Sequence, residues 1–225
     1  MAVAPETDEK INRRSRIRAS AELLFAEHSY EAVSIRDIAS HAGVNSALVR
    51  YYFGTKDELY HTLFTDRYTV IVAERLEKLA EIPEHCSPQD KLHAVVHAWV
   101  EPVAKLACRD DDANFLMLLA RDQLRRDDEM HSGFRGEIDE MAGKCIELLV
   151  DLAPSVPKSQ VVSAYTWFVS LAVNATANRR RTQRLLPAAA GESVEEHDFV
   201  DQLLTFIVPG LGALLGIGDS TRVVR

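Results

Sequence analysis

Residues 34–53 read SIRDIASHAGVNSALVRYYF, and few folds accommodate that string. Ser34 with Asp37 three residues on reads as an N-cap with an acid at N3, a pairing that satisfies two orphan backbone donors at a helix start. The segment that follows is short and halts at Gly43, which tolerates the left-handed backbone of a helix end. Asn45 is a second N-cap, and Gly54 closes the second short segment. Ile38, Ala39, Ala42, Val44, Val49 and Tyr52 fall where two steeply crossed helices must meet. Ala39 is small enough for close approach, and Gly43 permits the tight turn. The string is therefore expected to fold as a helix-turn-helix over 33–53.

Helical periodicity continues on both sides, and no run alternates apolar and polar residues convincingly. A first helix is expected over 9–28, with Ile17, Ala21, Leu24 and Phe25 on one stripe and Arg13, Arg14, Arg16 and Arg18 off it. Thr55 and Glu58 form another capping box. It opens a long helix that stops before Pro83. Ser87 and Pro88 supply a cap and an N1 proline for a helix over 89–106. Further helices are expected over 115–125, 127–152 and 158–181, and Ser193 with Glu196 caps the last. The expected fold is all-α, about nine helices. An N-terminal three-helix domain (9–55) precedes a larger helical domain (56–218), with 1–8 and 219–225 as disordered tails.

Charge is distributed unevenly. The net charge of the 225 residues is −8, which alone argues against a polyanionic partner. Residues 10–56, however, carry eight bases (Lys10, Arg13, Arg14, Arg16, Arg18, Arg36, Arg50, Lys56) against four acids (Glu22, Glu27, Glu31, Asp37). A basic block on an acidic body suits a small phosphate-binding module attached to a domain that does not touch nucleic acid. Cys86, Cys108 and Cys145 form no CxxC pair, so buried thiols in a reducing cytoplasm are expected. The polar start argues against a signal peptide. The apolar run over 206–218, interrupted by Pro209 and glycines, reads as too short for a bilayer. A cytoplasmic protein with no membrane partner is expected.

The chain resembles the TetR family. The resemblance lies in Ile17, Ala21, Leu24-Phe25, Tyr30, Ser34-Ile35, Ile38-Ala39, Ala42-Gly43-Val44, Tyr52-Phe53, Lys56 and Leu59. It covers about 13–63; the remainder matches only in architecture. It implies a DNA-binding transcriptional regulator, not an enzyme, with no cofactor and no catalytic residue. Ser34 and Lys56 would bind phosphates at helix N-termini. Arg36, Asn45, Ser46, Arg50, Tyr51 and Tyr52 would read or flank the operator, Arg50 being suited to a bidentate contact with guanine. Two positions depart from the family pattern. Arg50 stands where tyrosine is usual, and Ser29 stands where glycine is usual, so a strained turn is expected at His28 or Ser29. The string from Asn45 to Lys56 is also similar to a subset answering to fatty acids or their thioesters.

The last two helices are too apolar for surface helices. They are expected to form a homodimer through Val161, Phe168, Ala172, Val200, Leu204, Ile207 and Leu211. A twofold pair implies a pseudo-palindromic double-stranded DNA operator. The resemblance further implies a cavity for a small-molecule effector that releases a repressor. Its candidate lining is Trp99, Phe115, Leu118, Phe134, Met141, Tyr165, Trp167, Phe168 and Asn174, the last because a buried amide needs a partner. Two alternatives stand beside this reading. One is a constitutive DNA-binding regulator without ligand. The other is a metal-binding helical protein using His93, His97 and Glu101, which share one helical face. Arg179, Arg180, Arg181 and Arg184 are expected to complement the C-terminal dipole of their helix.

Overall fold

The computed structural model describes residues 5–123, 132–185 and 196–218. Among these the fold is all-α, with no strand. Its helices are α1 (Pro5–Glu27), α2 (Ile35–Ala42), α3 (Ser46–Phe53), α4 (Lys56–Ala80), α5 (Pro88–Ala107), α6 (Ala113–Asp122), α7 (Ser132–Leu152), α8 (Lys158–Ala177), α9 (Arg179–Leu185) and α10 (Glu196–Leu215). A 3₁₀ turn, Asp110–Asp112, leads into α6.

The helix starts follow the capping residues. Ser34, Asn45, Thr55 and Ser87 each accept a backbone N–H in the first turn of their helices, and Pro88 occupies the first turn of α5. Three boundaries differ from the sequence expectation. α1 begins at Pro5, so part of the expected N-terminal tail is helical. The helix expected over 158–181 breaks at Asn178, giving α8 and a short α9. Arg179 then donates to the Ala107 carbonyl at 3.3 Å and lies over the Phe199 ring, so it ties α5 to α10 instead of serving its own helix end. The proposed cap Ser193 and the start of the helix expected at 127 lie outside the described residues.

Ser29 is accommodated without strain. No described non-glycine residue has positive φ. The chain turns through Ala32 N–H to Ser29 O at 3.1 Å, while Arg121 donates to Glu27 O.

Two apolar cores divide the chain. The first joins α1, α2, α3 and the front of α4 to Val103, Phe115, Leu116 and Leu118. The second is built around α5, which packs on α4, α7, α8 and α10. The first core therefore reaches past residue 56. α4 belongs to both, through Leu59–Ile71 in the first and Val72 and Leu79 against the second. α6 likewise packs on both α1 and α8.

By length and composition alone, Asp198–Leu215, a window that starts before the 206–218 run, is long and apolar enough to cross a membrane. In the fold it packs against α5 and α8. Its stripe Phe199, Val200, Leu203, Leu204, Ile207, Leu211 and Leu215 is buried in the second core.

Candidate nucleic-acid interface

Gly43 sets the angle between α2 and α3. Its φ is 64°, and its N–H closes α2 on the carbonyls of Ala39 and Ser40. Residues with a Cβ pay about 1–2 kcal/mol in this conformation. A Cβ here would also meet Arg16 Nη2 at 2.8 Å. Arg16 is present because its guanidinium crosses from α1 to donate to the Ala42 carbonyl.

The N-terminal ends of both helices are capped by side chains. Ser34 Oγ accepts the Asp37 N–H at 3.2 Å, while the Asp37 carboxylate accepts the Ser34 N–H at 2.8 Å and the Ser34 hydroxyl at 2.6 Å. That hydroxyl, with the Ser34 N–H, holds the Asp37 carboxyl below the usual carboxylate range. Asn45 Oδ1 accepts the Leu48 N–H at 2.7 Å, so the cap uses the amide oxygen and not its nitrogen.

α3 turns Val49 and Phe53 inward. Asn45, Ala47, Arg50 and Tyr51 face solvent, Tyr51 being 80% exposed, and Arg36 is exposed on α2. Ser46 and Tyr52 are half-buried, Tyr52 lying edge-on to Tyr51 at 5.3 Å. Among the described residues no side chain takes the Arg50 guanidinium. The result is a helix eight residues long with one anchored face and one free polar face. A major groove about 12 Å wide admits such a helix.

Lys56, expected at a phosphate, is held by contacts within the chain. Its ammonium donates to the carbonyls of Tyr30 and Val33 at 2.9 and 3.1 Å and sits 3.9 Å from the Tyr30 ring centroid. It is a clasp between α4 and the α1–α2 turn. Arg14 and Arg16 are also used internally, Arg14 over the Phe53 ring at 5.5 Å. The signal for this was present in the sequence, since a cation beside Tyr30 and Phe53 stacks readily, but the tertiary distance was not.

This geometry has close counterparts. A model of the bacterial regulatory proteins of the tetR family matches residues 17–63, and one of the tetracyclin repressor-like C-terminal domain matches 97–210. The chain belongs to the tetR family. It is 28% identical over 116 residues to the transcriptional dual regulator CecR of Shigella flexneri, covering 49% of this chain and 51% of that one. It is 29% identical over 118 residues to the transcriptional repressor KstR2 of Rhodococcus jostii, covering 48% and 58%. The chain thus spans about half the length of these relatives. The solved FadR of Bacillus subtilis in complex with stearoyl-CoA shares the fold at TM-score 0.53 and 15% identity, over 87% of this chain and 98% of that one.

The tetR-family body places the expected effector residues in three separate environments. Trp99, Met141, Tyr165 and Phe168 meet in the second core, with Tyr165 edge-on to Trp99 and Phe168 at 6.5 and 5.6 Å. Phe115 and Leu118 do not join them. They belong to the first core, where Phe115 packs on Phe64 at 6.0 Å, because α6 leans toward α1. Trp167 is 61% exposed, and Asn174 is exposed and donates to its own helix at Ser170 O, 2.8 Å. Neither reaches the residues around Trp99; both project from the outer side of α8. The Phe134 side chain lies outside the described residues.

The expected dimer residues also change role. Val161, Phe168, Ala172, Val200, Leu204, Ile207 and Leu211 are all buried within the chain, since their stripe faces α5. Phe168, Ile207 and Leu211 floor a shallow groove of about 140 Å³ between α8 and α10. Its rim is Trp167 and Phe206, and Phe206 is 71% exposed. A second cleft of about 720 Å³, bordered by Asn114, Met117, Arg180, Arg181 and Arg184, opens between α6 and α9.

Glu101, the carboxylate of the metal alternative, is drawn to cations. It pairs with Lys78 and, at 3.3 Å, with Lys105, and its distance to His97 Nδ1 is 3.6 Å. Burial lowers the His97 pKa despite that carboxylate. Among the described residues no three His, Cys, Asp or Glu side chains converge.

Sequence reasoning passes over one residue of the second core. Arg75 occupies a core position on α4, in helical register with Tyr68, Ile71, Val72 and Leu79, and only 7% of it is exposed. A lone arginine on an otherwise apolar stripe is the signal that could have found it.

Proposed function

We propose that this tetR-family chain is a ligand-responsive, sequence-specific DNA-binding repressor. The observation that carries the reading is the outward face of α3, where Arg50 and Tyr51 stand exposed on a helix anchored behind by Val49 and Phe53. Arg50 reads guanine; Tyr51 contacts phosphate or a thymine methyl. Asn45, Ser46, Tyr52 and Arg36 flank that contact, and the Ser34 end of α2 faces the backbone.

Two copies pair through the outer sides of α8 and α10, with Trp167 and Phe206 crossing the twofold axis. A pair places two recognition helices one turn of DNA apart, so the operator is a pseudo-palindrome. The effector is small and largely apolar, in keeping with the side chains around Trp99 in the second core. The comparison protein FadR was captured with stearoyl-CoA. Release follows by population shift. α4 runs through both cores, so an effector that fits one disposition of α4 better lowers operator affinity by the difference in its binding energy.

Selection of bound duplexes from a random DNA pool, at a stated salt concentration, tests this. An enriched inverted repeat is expected. Salt-sensitive binding with no enriched sequence would remove the regulator reading. A metabolite panel that shifts neither the melting temperature nor operator binding would favour the constitutive alternative.

A further inference from the structure

We propose that Arg75 is the anion anchor of the effector site, and that the effector is an organic carboxylate on an apolar body. This rests on the ligand-responsive reading above and narrows it to a chemical class.

The guanidinium of Arg75 is buried in the second core. Its Nη2 donates to the Trp99 carbonyl at 3.1 Å, and its central carbon lies 4.8 Å from the Trp99 ring centroid. Its Nε–H has no acceptor. The titratable side chains acting on it are Tyr68, Tyr165 and Cys145, with no carboxylate among them. Burial pushes the Cys145 thiol up to about 12 and the Tyr165 phenol up as well, so both are neutral at pH 7. Among the described residues nothing supplies Arg75 with a negative charge.

Arg67, two turns earlier on α4, shows what a structural pairing looks like in this chain. It also stacks on an aromatic ring, Phe115 at 4.8 Å, yet it has Glu22 at 2.6 Å and Asp112 at 3.3 Å. The more solvated arginine has two carboxylates and the more buried one has none. Glu74, adjacent in sequence to Arg75, lies 4.0 Å from Lys105 instead. A buried cation without a counter-charge is costly to keep, and a bound anion removes that cost. The planar guanidinium fork matches a carboxylate. Trp99 stacks on it, Tyr165 and Cys145 act on it, and all three belong to the apolar second core, which favours an apolar body. One guanidinium balances one negative charge, so a doubly charged phosphate would carry excess charge into an apolar wall.

The test uses the full chain and thermal unfolding. Octanoate, dodecanoate and 3-phenylpropanoate are each compared with the methyl ester and the alcohol of the same skeleton. At least one acid is expected to raise the melting temperature while its ester and alcohol do not. Arg75→Met is expected to raise the melting temperature of the ligand-free protein and to weaken the response to the acid at least tenfold. Arg75→Lys, which keeps the charge and loses the fork, is expected to bind the acid more weakly than wild type. An ester as effective as its acid, an unaltered acid response in Arg75→Met, or no response to any of the three acids would each overturn the proposal. A selected operator released only by neutral compounds would overturn the carboxylate assignment and leave the regulator reading standing. An acid-specific shift with no operator found would do the reverse.

Discussion

Arg50 and Lys56 carry the same charge six positions apart, and the fold uses them differently. Arg50 projects from α3, so Arg50→Ala is expected to leave the melting temperature unchanged. It should cost about 1–3 kcal/mol of preference for the selected operator over a scrambled duplex. Competition binding with the two duplexes reads this directly, and equal discrimination in both proteins would take Arg50 out of base readout. Lys56 clasps two carbonyls and a ring. Hydrogen bonds from charged donors contribute about 1.5–3 kcal/mol. Lys56→Ala should therefore destabilise the chain by about that amount in urea unfolding, with the salt dependence of DNA binding little altered. A flattened salt slope with unchanged stability would restore it as a phosphate contact. Arg75 extends the same contrast: Arg50 and Arg75 are the same side chain, one exposed and one buried, and differ only in what surrounds them.

The turn between α2 and α3 rests on Gly43. Gly43→Ala adds the left-handed penalty of about 1–2 kcal/mol and pushes against the Arg16 guanidinium. Because that guanidinium is the end of a flexible side chain, it can yield, and the backbone penalty dominates. The expected result is a urea midpoint lowered accordingly, with operator affinity falling because α3 is re-aimed. Unchanged stability would mean that the turn has another solution. The chain between α1 and α2 supplies an example of one. A strained turn is expected at His28 or Ser29, and the backbone instead closes a turn with no positive φ.

Assembly depends on which side of α8 and α10 is covered. The stripe through Leu204 packs on α5, whereas Trp167 and Phe206 stand outside. Phe206→Glu is expected to give folded monomers by light scattering, with helical circular dichroism retained and operator affinity reduced. Leu204→Glu is expected to unfold the second core, since a buried unpaired carboxylate is among the most damaging single changes. A dimer that survives Phe206→Glu would place the twofold contact on another face. The two cores are coupled through α4, and α6 braces α1 against α8. Motion in the second core therefore has two routes to α3.

The elements are legible in the amino-acid order because their signals are local. A capping box acts over three residues and a helical stripe over a few turns. So the starts at Ile35, Ser46, Lys56 and Pro88, and the helix-turn-helix itself, follow from the order of residues. What local order does not assign is the neighbour of each face. One apolar stripe serves equally as core, cavity wall or dimer seam. Val161, Phe168 and Leu204 became core, Trp167 and Phe206 became surface, and Phe115 joined the first core. Only the packing of α5 through the centre decided among them. The same holds for charge. A lysine's sequence position does not reveal a carbonyl that folding brings within 3 Å, nor does an arginine's reveal that no acid will meet it. Those outcomes depend on contacts distant in sequence, which exist only once the helices have docked.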